Sequence, residues 1–201
     1  MKKSILGLAV IILLSSCATT AVSRVESGSQ ADLSGYWNAR DVQIVCDALI
    51  DDCLNNAQVN RIINANRNRK PVVIIGRFRN ESSEHIDTSI ISSTMERAIL
   101  NSGKLDFVAG DGVRQEITAE RAYQSTSGLV SDDSAAMLGR EIGADFMLTG
   151  SVKTIVDRAD NKTVRSYFVS ATLTNIETGA RLWIGQNNEV TKVIVRKKTK
   201  F

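Results

Sequence analysis

An α/β domain, built on one mixed sheet of about five strands with packed helices, is the fold class that the order of sequence patterns predicts. Pro71 to Phe78 is an apolar run without helical spacing, as in a strand buried on both faces. A helical pattern and a second short apolar run follow it. Beyond Gly143, three segments alternate with period two between tight-turn residues, as in an antiparallel meander with one wet face.

The chain begins with a stretch suited to export. Lys2 and Lys3 precede an apolar run from Ile5 to Leu14, too short to span a bilayer and right for the core of a secretory signal peptide. It ends in Leu14, Ser15, Ser16 and Cys17, which resembles the bacterial lipobox; that resemblance implies cleavage after residue 16 and acylation of Cys17. Ala18, where lipoproteins kept in the inner membrane often carry Asp, favours the outer membrane. Several acyl chains on one cysteine would hold the protein firmly, where a single chain anchors only marginally. Residues 17–35 are then the lipidated cysteine and a short tether, rich in Ser, Thr, Ala and Gln, that reaches roughly 60 Å fully extended. Residues 36–201 suffice for a single, monomeric domain with a real core. Loss of Lys2 and Lys3 lowers the net charge from +3 to +1, so neither nucleic acid nor anionic lipid is implied as a partner by bulk charge.

Within the domain, Val42, Val45, Cys46, Leu49 and Cys53 recur at helical spacing from Arg40 onward. Cys46 and Cys53 lie on that apolar stripe, about 10 Å apart along an intact helix, which is beyond disulfide reach. Two buried thiols, a bridge that breaks the helix, and a contact with another chain all remain open. After the strand at Pro71, Asp87 offers a helix N-cap, and Ile90, Ile91, Met95, Ala98 and Ile99 supply the apolar stripe. Gly103 ends this helix, and Leu105 to Ala109 forms a strand parallel to the first. Asp111 to Gln124 and Asp132 to Ile142 read as two helices. A long strand from Ala144 turns at Asp160 and Asn161 into a second, and Glu177 to Gly179 turn that into a third, Leu182 to Glu189, which Val190 to Phe201 would extend.

Candidate chemistry is sparse. A single histidine and the lack of a close cysteine pair leave no metal reading, and no cofactor is expected. His85 has Ser82, Ser83 and acidic neighbours in sequence, but catalytic triads assemble from separate elements, so a binding protein is expected rather than an enzyme. No acidic residue falls between Asp52 and Glu81, where Arg61, Arg67, Arg69, Lys70, Arg77 and Arg79 sit among many asparagines. That stretch is either a solvated loop or frayed helix, or a basic surface for an acidic partner. Arg77 and Arg79 fit the second reading best, because a strand end fixes their backbone.

The pieces GYWN at Gly35 to Asn38, RNESSEHIDT at Arg79 to Thr88, ERAYQ at Glu120 to Gln124, GADFML at Gly143 to Leu148 and WIGQ at Trp183 to Gln186 occur in the order found in the LpoB family, which the domain resembles. The resemblance implies a fold like the amino-terminal domain of TolB, and a non-catalytic outer-membrane lipoprotein. It implies docking on a bifunctional (class A) penicillin-binding protein whose glycan polymerisation, and with it crosslinking, is raised. The contact surface expected here is Arg77, Arg79, Asn80, Glu84 and His85. Members of the family cross the periplasm on a long tether, often proline-rich, whereas no proline precedes Pro71 here. The alternatives are an envelope secretion or assembly lipoprotein of the CsgG type and a binding lipoprotein with another partner.

Overall fold

The apolar run after Pro71 becomes the second strand of a sheet whose other members are added on both sides. The computed structural model describes residues 34–65, 69–131 and 142–196. In order they form α1 (Ala39–Asn55), α2 (Ala57–Ala65), β1 (Val72–Asn80), α3 (Thr88–Asn101), β2 (Asp106–Phe107), α4 (Asp111–Thr126), β3 (Phe146–Ala159), β4 (Lys162–Asn175), β5 (Arg181–Asn187) and β6 (Thr191–Val195). The leader, Cys17, most of the tether, the helix expected over Asp132 to Ile142 except its last residue, and the lysine-rich end after Arg196 lie outside the described residues.

The sheet runs β2-β1-β3-β4-β5, with β6 also on β4. β1 is parallel to β2 and to β3, and the α3 crossover makes the first of those pairs as the sequence order requires. β3 and β4 form one long antiparallel hairpin, paired from Phe146 with Asn175 to Ala159 with Lys162. Asp160 closes its turn with φ 51°, a conformation that Asp tolerates better than most residues. The outer edge of β4 is covered in two halves: β5 pairs with Val169 to Thr174, and β6 with Lys162 to Ser166. The end of the chain was expected to prolong the third strand of the meander. Its described part forms instead a separate strand, β6, and at the break the Tyr167 N–H donates to the Val190 carbonyl at 2.9 Å.

One face of the sheet is the core face. Val73, Leu148, Val152, Val169, Ala171, Leu173 and Trp183 meet Val45, Cys46, Leu49 and Cys53 of α1 and Ile91, Met95 and Ile99 of α3. Both helices start where their capping residues dictate: Asn38 and Asp41 make a reciprocal capping box for α1, and Asp87 accepts from the Ser89 N–H at 2.9 Å for α3. The two Ser89 hydrogen bonds hold the Asp87 carboxyl below its ordinary range. The Trp183 indole N–H donates to Asp52 at 2.7 Å and fastens α1 to β5. The asparagine-rich stretch, where a solvated loop or frayed helix is one expectation, contains a helix, α2. Asn56 accepts from the N–H groups of Gln58 and Val59, and the Asn60 amide donates to the Leu54 and Asn56 carbonyls, so asparagines serve the corner between α1 and α2.

Cys46 and Cys53 are buried free thiols. Burial, reinforced by the charges of Asp47 and Asp52, pushes each up to about 12. In native protein at pH 8 both should therefore be silent toward a soluble aromatic disulfide reagent, and both should react once urea unfolds the chain; prompt reaction in the native state would contradict a docked α1. At Gly150, a Cβ would run into the Phe78 ring and the Ser170 carbonyl. Gly150→Ala is accordingly expected to lower stability by about 1–3 kcal/mol, read as a shifted urea midpoint.

Candidate docking face and the loop behind it

The feature that creates a candidate site is a β-bulge in β1. Ile75 lies opposite Leu148, but Phe78 lies opposite Gly150, so β1 carries one more residue than β3 over this interval. Strict alternation from Val73 would aim Arg77 into the core and Phe78 into solvent. The extra residue reverses this outcome. Phe78 is buried over Gly150, and Arg79 sits opposite Ser151 on the other, open face of the sheet. There Arg77 and Arg79, with Thr149, Ser151, Ser170 and Thr172, line a shallow depression of about 470 Å³. Arg79 and Lys153 hold Glu81 between them at 3.1 and 3.2 Å. Exposed Met147 and Ile184 lie on the same face, since they share registers with Ile74 and with Thr172.

Behind this face, the loop from Asn80 to Asp87 is closed by its own side chains. Asn80 accepts from the Ser82 N–H at 3.0 Å and the Ser82 hydroxyl at 2.6 Å, and its amide donates to the Glu84 carbonyl at 2.7 Å. Ile86 inserts into the core. Glu84 also turns inward, with its side chain only 8% exposed. Its two oxygens accept from the Tyr167 hydroxyl at 2.8 and 2.9 Å, and one of them from the Trp37 N–H at 3.3 Å. The Arg165 Nε stands 3.6 Å from the same carboxylate. Trp37 packs on Tyr167 with ring centroids 5.1 Å apart, and the Arg165 guanidinium lies 4.0 Å over the Tyr36 ring. Lys192, buried against Asp41, donates to the Tyr36 carbonyl at 2.7 Å. The stretch from Gly35 to Asp41 is thus strapped across the far end of the core.

The structure divides the five residues singled out from sequence. Arg77 and Arg79 come together on the open face, and His85 is exposed on the loop. Asn80 is engaged in holding the loop, and Glu84 turns its carboxylate inward, with 8% of its side chain left exposed. In the basic stretch before β1, Arg69 pairs with Asp145 at 2.6 Å and Lys70 with Asp106 at 3.7 Å, and Arg67 lies outside the described residues. Lys153, Thr149, Ser170 and Thr172 were not singled out. Their signal was the alternation of Ser and Thr with apolar residues, which marked a wet face without marking a site.

Fold and site together define a small α/β domain, with α1 and α3 packed on one face of its sheet and a polar, arginine-bearing surface on the other. The family model described as peptidoglycan-synthase activator LpoB matches residues 41–188, from α1 through β5, and the chain belongs to that family. No curated protein matches it. Among solved structures, the LpoB C-terminal domain from Salmonella enterica is 16% identical, with 78% of this chain and 99% of that one covered at a TM-score of 0.42. The LpoB C-terminal domain from Escherichia coli is 15% identical, with coverage of 78% and 99% and a TM-score of 0.43. Lipoprotein GNA1162 from Neisseria meningitidis is 15% identical, with coverage of 65% and 87% and a TM-score of 0.34. No helix among the described residues is long and apolar enough to cross a membrane.

Two outcomes follow from the buried carboxylate. Glu84→Ala strands the Tyr167 hydroxyl and the Trp37 N–H and leaves Arg165 without its counter-charge, so it should cost about 3–5 kcal/mol in urea unfolding. Burial, then the hydrogen bond to Glu84 and its charge, raises the Tyr167 phenol well above its ordinary value of 10.0. Above pH 10 the unfolded chain therefore loses a proton that the native state keeps, and stability falls as pH rises. Unfolding titrations between pH 9 and 11 should show a shallower alkaline decline in Tyr167→Phe than in the parent; equal slopes would mean that Tyr167 ionises as freely in the folded state.

Proposed function

We propose that this chain is exported by its leader, acylated at Cys17 and held in the outer membrane, from which its domain docks on a bifunctional class A penicillin-binding protein and stimulates glycan polymerisation. The observation that carries this reading is the family match over residues 41–188, a family described as activators of peptidoglycan synthase. The lipobox-like stretch ending in Cys17 supports the anchor. As a regulator, the domain acts by binding the active conformation of the synthase more tightly than the inactive one. A tenfold stimulation needs a preference of about 1.4 kcal/mol.

The docking face is the open side of the sheet, centred on Arg77 and Arg79. A bulge and two flanking strands fix both backbones, and the surrounding hydroxyls of Thr149, Ser170 and Thr172 offer donors and acceptors on a rigid floor. His85 remains a rim contact, whereas Glu84 and Asn80 act by holding the loop. This division yields a test that separates docking from folding. Arg77→Glu with Arg79→Glu should leave the unfolding midpoint within about 0.5 kcal/mol, as exposed substitutions do, while stimulation of a purified class A synthase in a glycan polymerisation assay falls by at least about tenfold. Undiminished stimulation by a folded double variant would remove the arginines from the interface. A parent chain that stimulates no class A synthase would remove the activator reading itself.

A further inference from the structure

The far end of the β3–β4 hairpin is chemically unlike the rest of the domain. A cavity of about 300 Å³ there is lined by the charged side chains of Arg158, Asp160, Lys162, Arg165 and Arg196, together with Ser34, Tyr36, Asn161, Thr163 and Ile194. Arg165 is occupied by Glu84 and Tyr36. Arg158, Lys162 and Arg196 are exposed and have no ion pair among the described residues. The acidic groups in this turn of the hairpin are Asp157 and Asp160. Arg196 is pinned at this end: its N–H donates to the Asn161 carbonyl at 2.9 Å, and the Asn161 amide reaches its carbonyl at 3.4 Å. Lys197, Lys198 and Lys200 follow in sequence. Ser34, the first described residue of the tether, lines the same cavity, and the neighbouring Tyr36 is 50% exposed.

We infer that this hairpin end is a docking surface for the anionic headgroups of the membrane that carries the lipid anchor. Two independent features select that occupant. The first is charge: a cluster of unpaired guanidinium and ammonium groups at one pole, in a mature chain whose overall balance is close to neutral, suits phosphodiester headgroups, beside which a half-exposed tyrosine ring is at home. The second is connection. Only 16 residues separate Cys17 from Ser34, which lines this cavity, so an anchor at Cys17 would hold the basic groups at high effective concentration beside the lipid surface. The inference draws on the proposed anchor only for that nearness. It states that the pole itself recognises anionic lipid, independently of the synthase.

The test uses the mature chain from residue 17 onward with Cys17→Ser, so that no acyl chain carries it to the vesicles. Its flotation with vesicles of phosphatidylcholine containing one third phosphatidylglycerol is compared with flotation on phosphatidylcholine alone. Retention on the anionic vesicles is expected, weaker by at least about tenfold on neutral ones, and lost near 1 M salt, where screening shortens to about 3 Å. Arg158→Glu, Lys162→Glu and Arg196→Glu together should reduce retention by at least about tenfold, and the matching Gln triple variant should fall between if reversal disturbs the hairpin. Equal retention on both vesicles, retention on neither, or retention indifferent to both triple variants would overturn the inference. So would preferential capture of a soluble polyglutamate over anionic vesicles, which would give this pole to an acidic protein. Synthase stimulation by the same chain is measured without lipid vesicles, so loss of the activator reading and loss of this one are read separately.

Discussion

The Glu84 carboxylate is the interaction on which the rest of the domain depends. A buried carboxylate is costly unless its oxygens are satisfied, and here two separate parts of the chain approach them: β4, through Tyr167 and Arg165, and the segment before α1, through the Trp37 N–H. None of these partners is near Glu84 in sequence, so the pair distances record a closure of the fold and not a local turn. Once the carboxylate is held, the loop after β1 is drawn inward, Ile86 plugs the core, and Thr88 donates to the Phe78 carbonyl at 2.8 Å where α3 begins. The strap from Gly35 to Asp41 is fixed by the same closure and by Lys192, which caps the far end of the core with a second buried charge pair.

The inward loop has a counterpart on the opposite side of the sheet. β1 must deliver Phe78 to the core immediately before this loop, and an unbroken strand would deliver Arg77 instead. The bulge resolves that conflict, and Gly150 makes it sterically possible by leaving the Phe78 ring the space that any Cβ would occupy. Two arginines on the open face are thus a consequence of how one phenylalanine is buried. A surface obtained in this way is rigid, because moving either arginine backbone would unseat a core residue.

Much of this architecture was legible in the chain. Period-two alternation located β3, β4 and β5, the Asp160 and Asn161 turn located their hairpin, and Asp87 located the start of α3, because each of these signals is local. The bulge was not legible, since Gly76 and Arg77 read equally well as a continuing strand, and only register against β3 reveals the extra residue. α2 was hidden because its asparagines resemble a loop until Asn56 and Asn60 are seen closing a helix corner. Glu84 was misjudged for a related reason. In a run of charged residues it looks solvated, and its burial depends on Tyr167 and Trp37, whose apolar signals were visible but whose convergence on one carboxylate is a property of the three-dimensional closure.

The position of the basic pole relative to the open face bears on what the domain could reach. Arg79 is level with Ser151 on β3, eight residues from the hairpin end at Ala159, or roughly 25 Å along the strand. With the pole on the headgroups, the arginine face would look sideways at about that height, and the tether would be slack. With the pole released, full extension of the chain between Cys17 and Ser34 adds roughly 55 Å to the same height. Under the proposed anchor and the inferred lipid-binding pole, the proposed docking face would take two positions. The energy separating them is set by a few exposed charges, which ionic strength and lipid composition can shift, and the face itself is unchanged because the bulge and Glu84 hold it in both.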